Sequence, residues 1–241
     1  AKMFIGLDLT LLQGYGLTET SPVISVNEPS SNDPSSVGRP IRGVEVRIGK
    51  DDELQVKGPG NMLGYWNNHK ATAQTIDADG WLHTGDKAHI SESGHIHIVG
   101  RIKDILVLNN GEKVPPADIE ATIISNGLIE QALIVGEGQP YLAALLVING
   151  EKWPQIAQQL GLDPLSNDSL NSKVLQQHFV RLLRQWLFEF PAYARIRRVH
   201  LTLQPWTIEN GLLTPTLKVK RAMVLEQFKN EIETMYKAAS S

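Results

Sequence analysis

Tyr15, Thr18 and Glu19 lie close together in the stretch "LLQGYGLTETSPV", alongside Gly14 and Gly16. Tyr15 offers an aromatic face, Thr18 a hydroxyl, and Glu19 a hard anionic oxygen of the kind that holds Mg²⁺. These are parts of an ATP site. A plain glycine turn with a capping Thr-Glu pair explains the same residues. A dinucleotide fingerprint fits poorly, because "GYGLTE" puts Glu where that motif needs its third glycine.

Three further places set Gly beside unusual polar residues. In "GWLHTGDKA", Asp86 follows a Thr-Gly turn, where a carboxylate can accept hydrogen bonds from both hydroxyls of a ribose or can serve as an ordinary turn residue. "GRIKDILVLNNGEKVPP" carries Arg101, Lys103, Gly111, Glu112 and Lys113. "NGLLTPTLKVKR" puts Lys218 in a loop just before a helix, where a solvated surface charge is the simpler reading.

The elements that must position these residues follow from periodicity. "MFIGLDLTLL" is apolar and short, as for a buried strand entering the Gly14–Gly16 turn, and a loop at the end of such a strand is where α/β proteins bind ligands. "NEPSSNDPSSVGR" reads as a surface loop. "VEVRI", "ELQVKG" and "HIHIVG" alternate as short antiparallel strands of a small barrel or meander, with one short helix in "NNHKATAQTID". "KDILVLNNGEKV" predicts two strands around an Asn-Gly turn, and "PPADIEATIISN" a helix opened by proline and acidic residues. "QALIVGEG" and "YLAALLVI" read as strands. Residues 172–190 place Leu175, Phe179, Leu182, Leu183, Trp186 and Phe190 on one helical face, read as core. A last helix, "MVLEQFKNEIETMY", would bury Leu225, Phe228, Ile232 and Met235.

With 241 residues, 41% of them hydrophobic, the chain can bury real cores in one large or two ordinary domains. A formal net charge of −3 gives no bulk attraction to nucleic acid, so a nucleic-acid partner is not expected. The chain has 0 cysteines, which excludes disulfides, a thiolate nucleophile and zinc–thiolate sites, and suits the cytosol. No apolar run is long enough to span a bilayer.

In order, "YGLTE", "GPGNMLGYWNN", "GWLHTGD", "GRIKDILVLNNGEKVPPADIE" and "TPTLKVKR" resemble the adenylate-forming superfamily of acyl-CoA synthetases, luciferases and adenylation domains. "GRIKD" with "GEKVPP", and "LTPTLKVKR", look most like the long-chain fatty acyl-CoA synthetases. The resemblance implies a fold of mixed α+β and α/β class. Residues 1–101 would end a large N-terminal domain and include a small β-barrel subdomain; residues 102–241 would form a compact α+β lid. It implies a ligase that joins a fatty acid to CoA through an acyl-adenylate, using ATP and Mg²⁺ and releasing AMP and pyrophosphate.

By the same resemblance, Tyr15 and Gly16 would border adenine, Thr18 would bond the α-phosphate and Glu19 would hold Mg²⁺. Asp86 and Arg101 would fix the ribose. Lys218 would be the catalytic lysine, with Lys220 as its rival, and Leu217 stands where many relatives have Gly. Lys103 occupies the hinge position, often Asp, and Gly111, Glu112 and Lys113 would line the CoA channel. The family's phosphate loop is not found in these residues, so the chain is expected to be a C-terminal portion, inactive alone. The alternatives are an adenylation domain that loads a carrier protein and a noncatalytic interaction module. Partners would be small-molecule substrates, with no obligate protein partner. The location would be cytoplasmic, with room for peripheral membrane contact by the full-length enzyme.

Overall fold

The computed structural model describes residues 6–7 and 9–237. They divide after Asp104 into two compact units.

In the first unit, β1 (Gly14–Tyr15), β2 (Ser25–Val26) and β3 (Arg39–Pro40) form a three-stranded antiparallel sheet. β4 (Glu45–Ile48), β5 (Glu53–Lys57), β6 (Leu82–Ile90) and β7 (Ile96–Arg101) form a four-stranded antiparallel one. Pairing continues from one to the other: the Val37 N–H donates to the Ile96 carbonyl at 2.9 Å, and the Ile96 N–H to the Gly38 carbonyl at 2.9 Å. The two sheets thus curve around one core of Ile24, Leu54, Val56, Ala88 and Ile96. Helix α1 (His69–Thr75) joins β5 to β6, with the Asn68 side chain accepting from the Ala71 N–H as its N-cap.

Two sequence-based expectations change here. Of the strand expected over "MFIGLDLTLL", residues 3–5 and 8 lie outside the described residues, and residues 9–13 form no strand. The ladder with β2 reaches only Gly14 and Tyr15, and one further bond ties the Gln13 carbonyl to Asn27 N–H. Asp86 is not in a turn: it stands within β6, and Gly85, at φ 71°, takes up a bulge that mimics a turn in the sequence.

The second unit opens with the hairpin β8 (Leu106–Val107) and β9 (Lys113–Val114), whose turn places Gly111 at φ 85°. Helix α2 (Pro116–Ser125) follows, with proline in its first turn. β10 (Ile129–Val135) and β11 (Leu142–Ile148) pair antiparallel, and β12 (Ile196–Thr202) pairs parallel to β11, giving the order β10-β11-β12. Every residue of β11 is buried, which explains its unbroken apolar run: it is a central strand covered on both faces. Leu142, Ala144, Leu146 and Ile148 share one core with α2 and with α5 (Lys173–Trp186). Ala143, Leu145 and Val147 share another with α6 (Arg221–Gln227) and α7 (Lys229–Lys237). Between β11 and α5 lie α3 (Trp153–Gln159) and α4 (Asn167–Leu170).

Helix α5 forms as its pattern dictates. Ser172 caps the Leu175 N–H, and Leu175, Phe179 and Leu183 are fully buried. Burying such side chains contributes about 1.5–3 kcal/mol each. The expected single C-terminal helix is instead two, broken at Phe228 (φ −101°, ψ 23°). Val224, four residues before Phe228, shares the buried face with Phe228 and Met235, while Leu225 is 38% exposed. Strand β12 was not expected, because "RIRRVHLT" lacks clean alternation.

Candidate functional site

The first unit gathers three of the sequence-predicted residues. Asp86 and Arg101 are register partners across β6 and β7, and Arg101 Nε lies 2.8 Å from Asp86 Oδ1. Asp86 Oδ2 accepts from the Tyr15 hydroxyl, carried in from β1. The loop is braced behind the carboxylate: Thr84 Oγ1 donates to the Leu54 carbonyl at 2.7 Å and accepts from the Asp86 N–H at 3.1 Å. Arg101 also donates to the Thr84 carbonyl at 3.3 Å. Glu53 completes the brace, accepting from the Gly85 N–H at 2.9 Å and meeting His83 Nδ1 at 2.7 Å.

Asp86 is buried, while the Arg101 side chain is 52% exposed. Burial raises the Asp86 carboxyl above its ordinary value, against the pull of the Tyr15 hydroxyl and the Arg101 guanidinium. Burial and the adjacent carboxylate push the Tyr15 hydroxyl up as well. The cluster is a polar acceptor held in place from three directions, with an exposed cation beside it. Such a site suits a polyhydroxyl group next to a phosphate.

Thr18 and Glu19 sit on a single 3₁₀ turn, Thr18–Thr20, with Leu17 between it and Gly16. Gly16 is required there, since a Cβ at that position would lie 1.6 Å from the Pro22 carbonyl oxygen. Thr18 is exposed and Thr20 is buried, its hydroxyl donating to the Leu17 carbonyl at 2.9 Å. A partner the sequence reading missed is Tyr65, whose hydroxyl donates to Glu19 Oε1 at 2.8 Å. Tyr65 lies in the quoted stretch "GPGNMLGYWNN", and that stretch is strapped to the turn again by the Met62 N–H donating to the Glu19 carbonyl at 2.8 Å. Among the described residues, the hydrogen bond to the Glu19 side chain falls on Oε1. One carboxylate with a remaining oxygen fits Mg²⁺, which keeps several waters and is commonly bound by one or two carboxylates together with substrate phosphates.

Lys103 is exposed in the 3₁₀ turn Ile102–Asp104. In the second unit, Gly111, Glu112 and Lys113 are exposed on the β8–β9 hairpin. Lys218 and Lys220 are exposed in the loop before α6. That loop is closed by Leu217 N–H to the Thr214 carbonyl at 2.9 Å, Lys218 N–H to Thr214 Oγ1 at 3.0 Å, and Thr214 N–H to the Lys218 carbonyl at 2.8 Å. Leu217 takes φ 61°, the left-handed conformation in which glycine is at ease.

This mixed α and β architecture, with its ordered glycine-bearing motifs, defines a protein of the adenylate-forming class. The chain belongs to the AMP-binding enzyme family: residues 103–240 match its C-terminal domain, and residues 2–66 match the AMP-binding enzyme model. It is 36% identical over 263 residues to the probable acyl-activating enzyme 16, chloroplastic, of Arabidopsis thaliana, covering 98% of this chain and 36% of that protein. It is 35% identical to the long-chain-fatty-acid–[acyl-carrier-protein] ligase AEE15, chloroplastic, of the same plant, covering 98% and 34%. Against the long-chain-fatty-acid–CoA ligase FadD15 of Mycobacterium tuberculosis the identity is 33%, covering 96% and 39%. The chain therefore spans about a third of the length of these relatives. Among solved structures, the A domain of a carboxylic acid reductase from Segniliparus rugosus, in complex with AMP and a co-purified carboxylic acid, shares the fold. The TM-score is 0.80 at 23% identity, covering 99% of this chain and 37% of that one.

Proposed function

We propose that the protein is an AMP-forming acid–thiol ligase that activates a long-chain fatty acid with ATP and transfers the acyl group to CoA. The observation that carries this reading is Asp86, buried and held between Tyr15 and Arg101, in a unit whose glycine loop presents Thr18 and Glu19. Residues 1–101 would end the large domain and residues 102–241 form the lid. The family match and the fatty-acid ligases among the relatives support both assignments.

In the first step a carboxylate oxygen attacks the α-phosphorus of ATP; the bond from that phosphorus to the bridging oxygen breaks and pyrophosphate leaves. Asp86 accepts the ribose hydroxyls, with Arg101 alongside. Thr18 donates to an α-phosphate oxygen, and Tyr15 and Gly16 border the base. Glu19 would hold Mg²⁺, which supplies neutralisation of phosphate charge. Lys218, a compact ammonium, stabilises the negative charge that gathers on the attacking carboxylate and the phosphate. In the second step the CoA sulfur, entering past Gly111, Glu112 and Lys113, attacks the acyl carbon and AMP leaves. Lys103 serves as the hinge between the two steps.

A carrier protein as acyl acceptor is a second reading, favoured by the relative that is an acyl-carrier-protein ligase. The test follows AMP release and pyrophosphate exchange by the protein expressed from its complete reading frame, over straight-chain acids. CoA-dependent release with long acids, lost in both Lys218→Ala and Asp86→Ala, is the expected result. Exchange without CoA-dependent release, restored by an acyl carrier protein, would replace CoA with that carrier. Unchanged exchange in Lys218→Ala would refute the assignment of the lysine.

A further inference from the structure

A groove of about 990 Å³ runs between α5, β12 and α7, and none of its lining residues comes from the loop that carries Lys218. Its floor is unusual. Arg197, Arg198, Val199 and His200 are successive residues of one strand, and all four line it. Arg197 sits in a bulge, but Arg198, Val199 and His200 are in regular register, and consecutive side chains there point to opposite faces, so a groove that meets all three looks onto the strand edge-on. β12 is the edge of its sheet, bonded to β11 alone. In a parallel ladder every second residue turns its N–H and C=O away from its neighbour, which leaves a row of donors and acceptors along the free edge. Among the described residues, no backbone hydrogen bond reaches residues 197–202 from outside the sheet.

The walls are cationic. Lys173, Arg181 and Arg184 come from α5, Arg197 and Arg198 from β12, and Glu231 of α7 is the one carboxylate in the lining. Among the described residues, Arg181, Arg184 and Arg198 make no ion pair. The Arg197 guanidinium lies 5.7 Å from the Tyr141 ring centroid. Lys173 and Arg184 are separated by about 16 Å along the helix axis. The positive charge is therefore spread along a line beside the strand instead of converging on a point, as a single phosphate would require.

Open edges of this kind invite unwanted strand pairing, and proteins commonly guard them with charge, especially lysine. Here the guard is arginine on both walls, Arg181 and Arg184 of α5 and Arg197 and Arg198 of β12, flanking a groove of about 990 Å³. We propose that the β12 edge is a docking site for an extended acidic peptide segment of a partner protein. The segment adds as a fourth strand, its backbone bonding to β12 and its carboxylates pairing with Arg181, Arg184 and Arg198.

The probe is a fluorescein-labelled peptide of alternating Thr and Glu, about ten residues long to match a strand, titrated with the whole chain and followed by anisotropy. The same peptide with alternate backbone amides N-methylated, its Lys counterpart and phosphatidylglycerol vesicles are run beside it. The expected result is binding by the Thr-Glu peptide that weakens at least tenfold on N-methylation and at least tenfold in Arg184→Glu/Arg198→Glu. Amide exchange in β12 should also slow when the peptide is present. The milder Arg184→Gln, expected to weaken binding less, covers misfolding of the double reversal, and circular dichroism checks both. Equal binding of the methylated peptide would reduce the groove to a general anion site and overturn strand addition. Equal binding of the Lys peptide, absence of any peptide binding, or vesicle binding alone would each overturn the proposal, the last in favour of a membrane surface.

Discussion

Replacing Leu217 tests whether the Lys218 loop is held under backbone strain. Leu217 is 69% exposed, so its side chain contributes little burial, yet it takes φ 61° at the residue that follows a tight turn. For an L-residue with a Cβ this conformation costs roughly 1–2 kcal/mol. Glycine removes that cost but adds freedom to the unfolded chain, a penalty of about 0.5–1 kcal/mol. Leu217→Ala keeps the Cβ and the strain while removing the same exposed atoms, so the comparison of interest is Gly against Ala. Leu217→Gly should be the more stable of the two by about 0.5–1 kcal/mol. With a urea dependence of about 1–3 kcal/mol per molar, that is a difference of several tenths of a molar in midpoint. The transition is followed by far-UV circular dichroism. A Gly variant no more stable than the Ala variant would refute the strain argument and with it the view that Leu217 stands in for a glycine.

Gly16→Ala should lose the Thr18–Thr20 turn, because the new Cβ would lie 1.6 Å from the backbone oxygen of Pro22, an atom that cannot move aside cheaply; nucleotide binding measured by calorimetry should vanish even if the fold survives. Arg221 donates to Glu120 Oε1 through both terminal nitrogens, at 3.0 and 2.9 Å, and to the Ile134 carbonyl at 2.6 Å. Arg221→Ala should therefore cost about 3 kcal/mol in urea unfolding, and a loss under 1 kcal/mol would mean that solvent substitutes for the guanidinium. The Asp86 carboxyl binds its proton more tightly folded than at its ordinary value of 3.8, so its contribution to stability is largest below that value and falls as pH rises through the region just above it. Relative to Asp86→Asn, which cannot titrate, the native protein should lose urea stability as pH rises above 3.8. A relative gain over that range would show that the Arg101 pair outweighs burial.

Much of the fold could be read where one physical signal dominated. Helix α5 has its serine cap and a stripe at Leu175, Phe179 and Leu183; β11 has an unbroken apolar run; the hairpin has its Asn-Gly turn. Signals failed where two effects overlapped. The β11–β12 register shifts between Leu142 and Ala143, so Arg197 interrupts the alternation of Ile196, Val199 and Leu201 and hides the strand. Gly85 gave β6 the composition of a turn. Val224 and Leu225 lie four and three residues before Phe228, so both fit a helical stripe, and periodicity alone does not tell which one the core takes. At the site, Tyr15, Asp86 and Arg101 were named from motifs, and their convergence is a matter of pairing between β6 and β7. Tyr65 escaped because it reaches Glu19 across forty-six positions of chain.

The parallel placement of β12 has a kinetic consequence. β10 and β11 can zip as a hairpin within a short stretch of chain, whereas β12 finds β11 only after the segment 149–195, with its three α-helices and a 3₁₀ turn, has been brought back across the sheet. Closing so long a loop spends entropy before any contact repays it. In refolding, amides of β10 and β11 should gain exchange protection before those of β12, so the strand that bears the free edge is the last to be laid down.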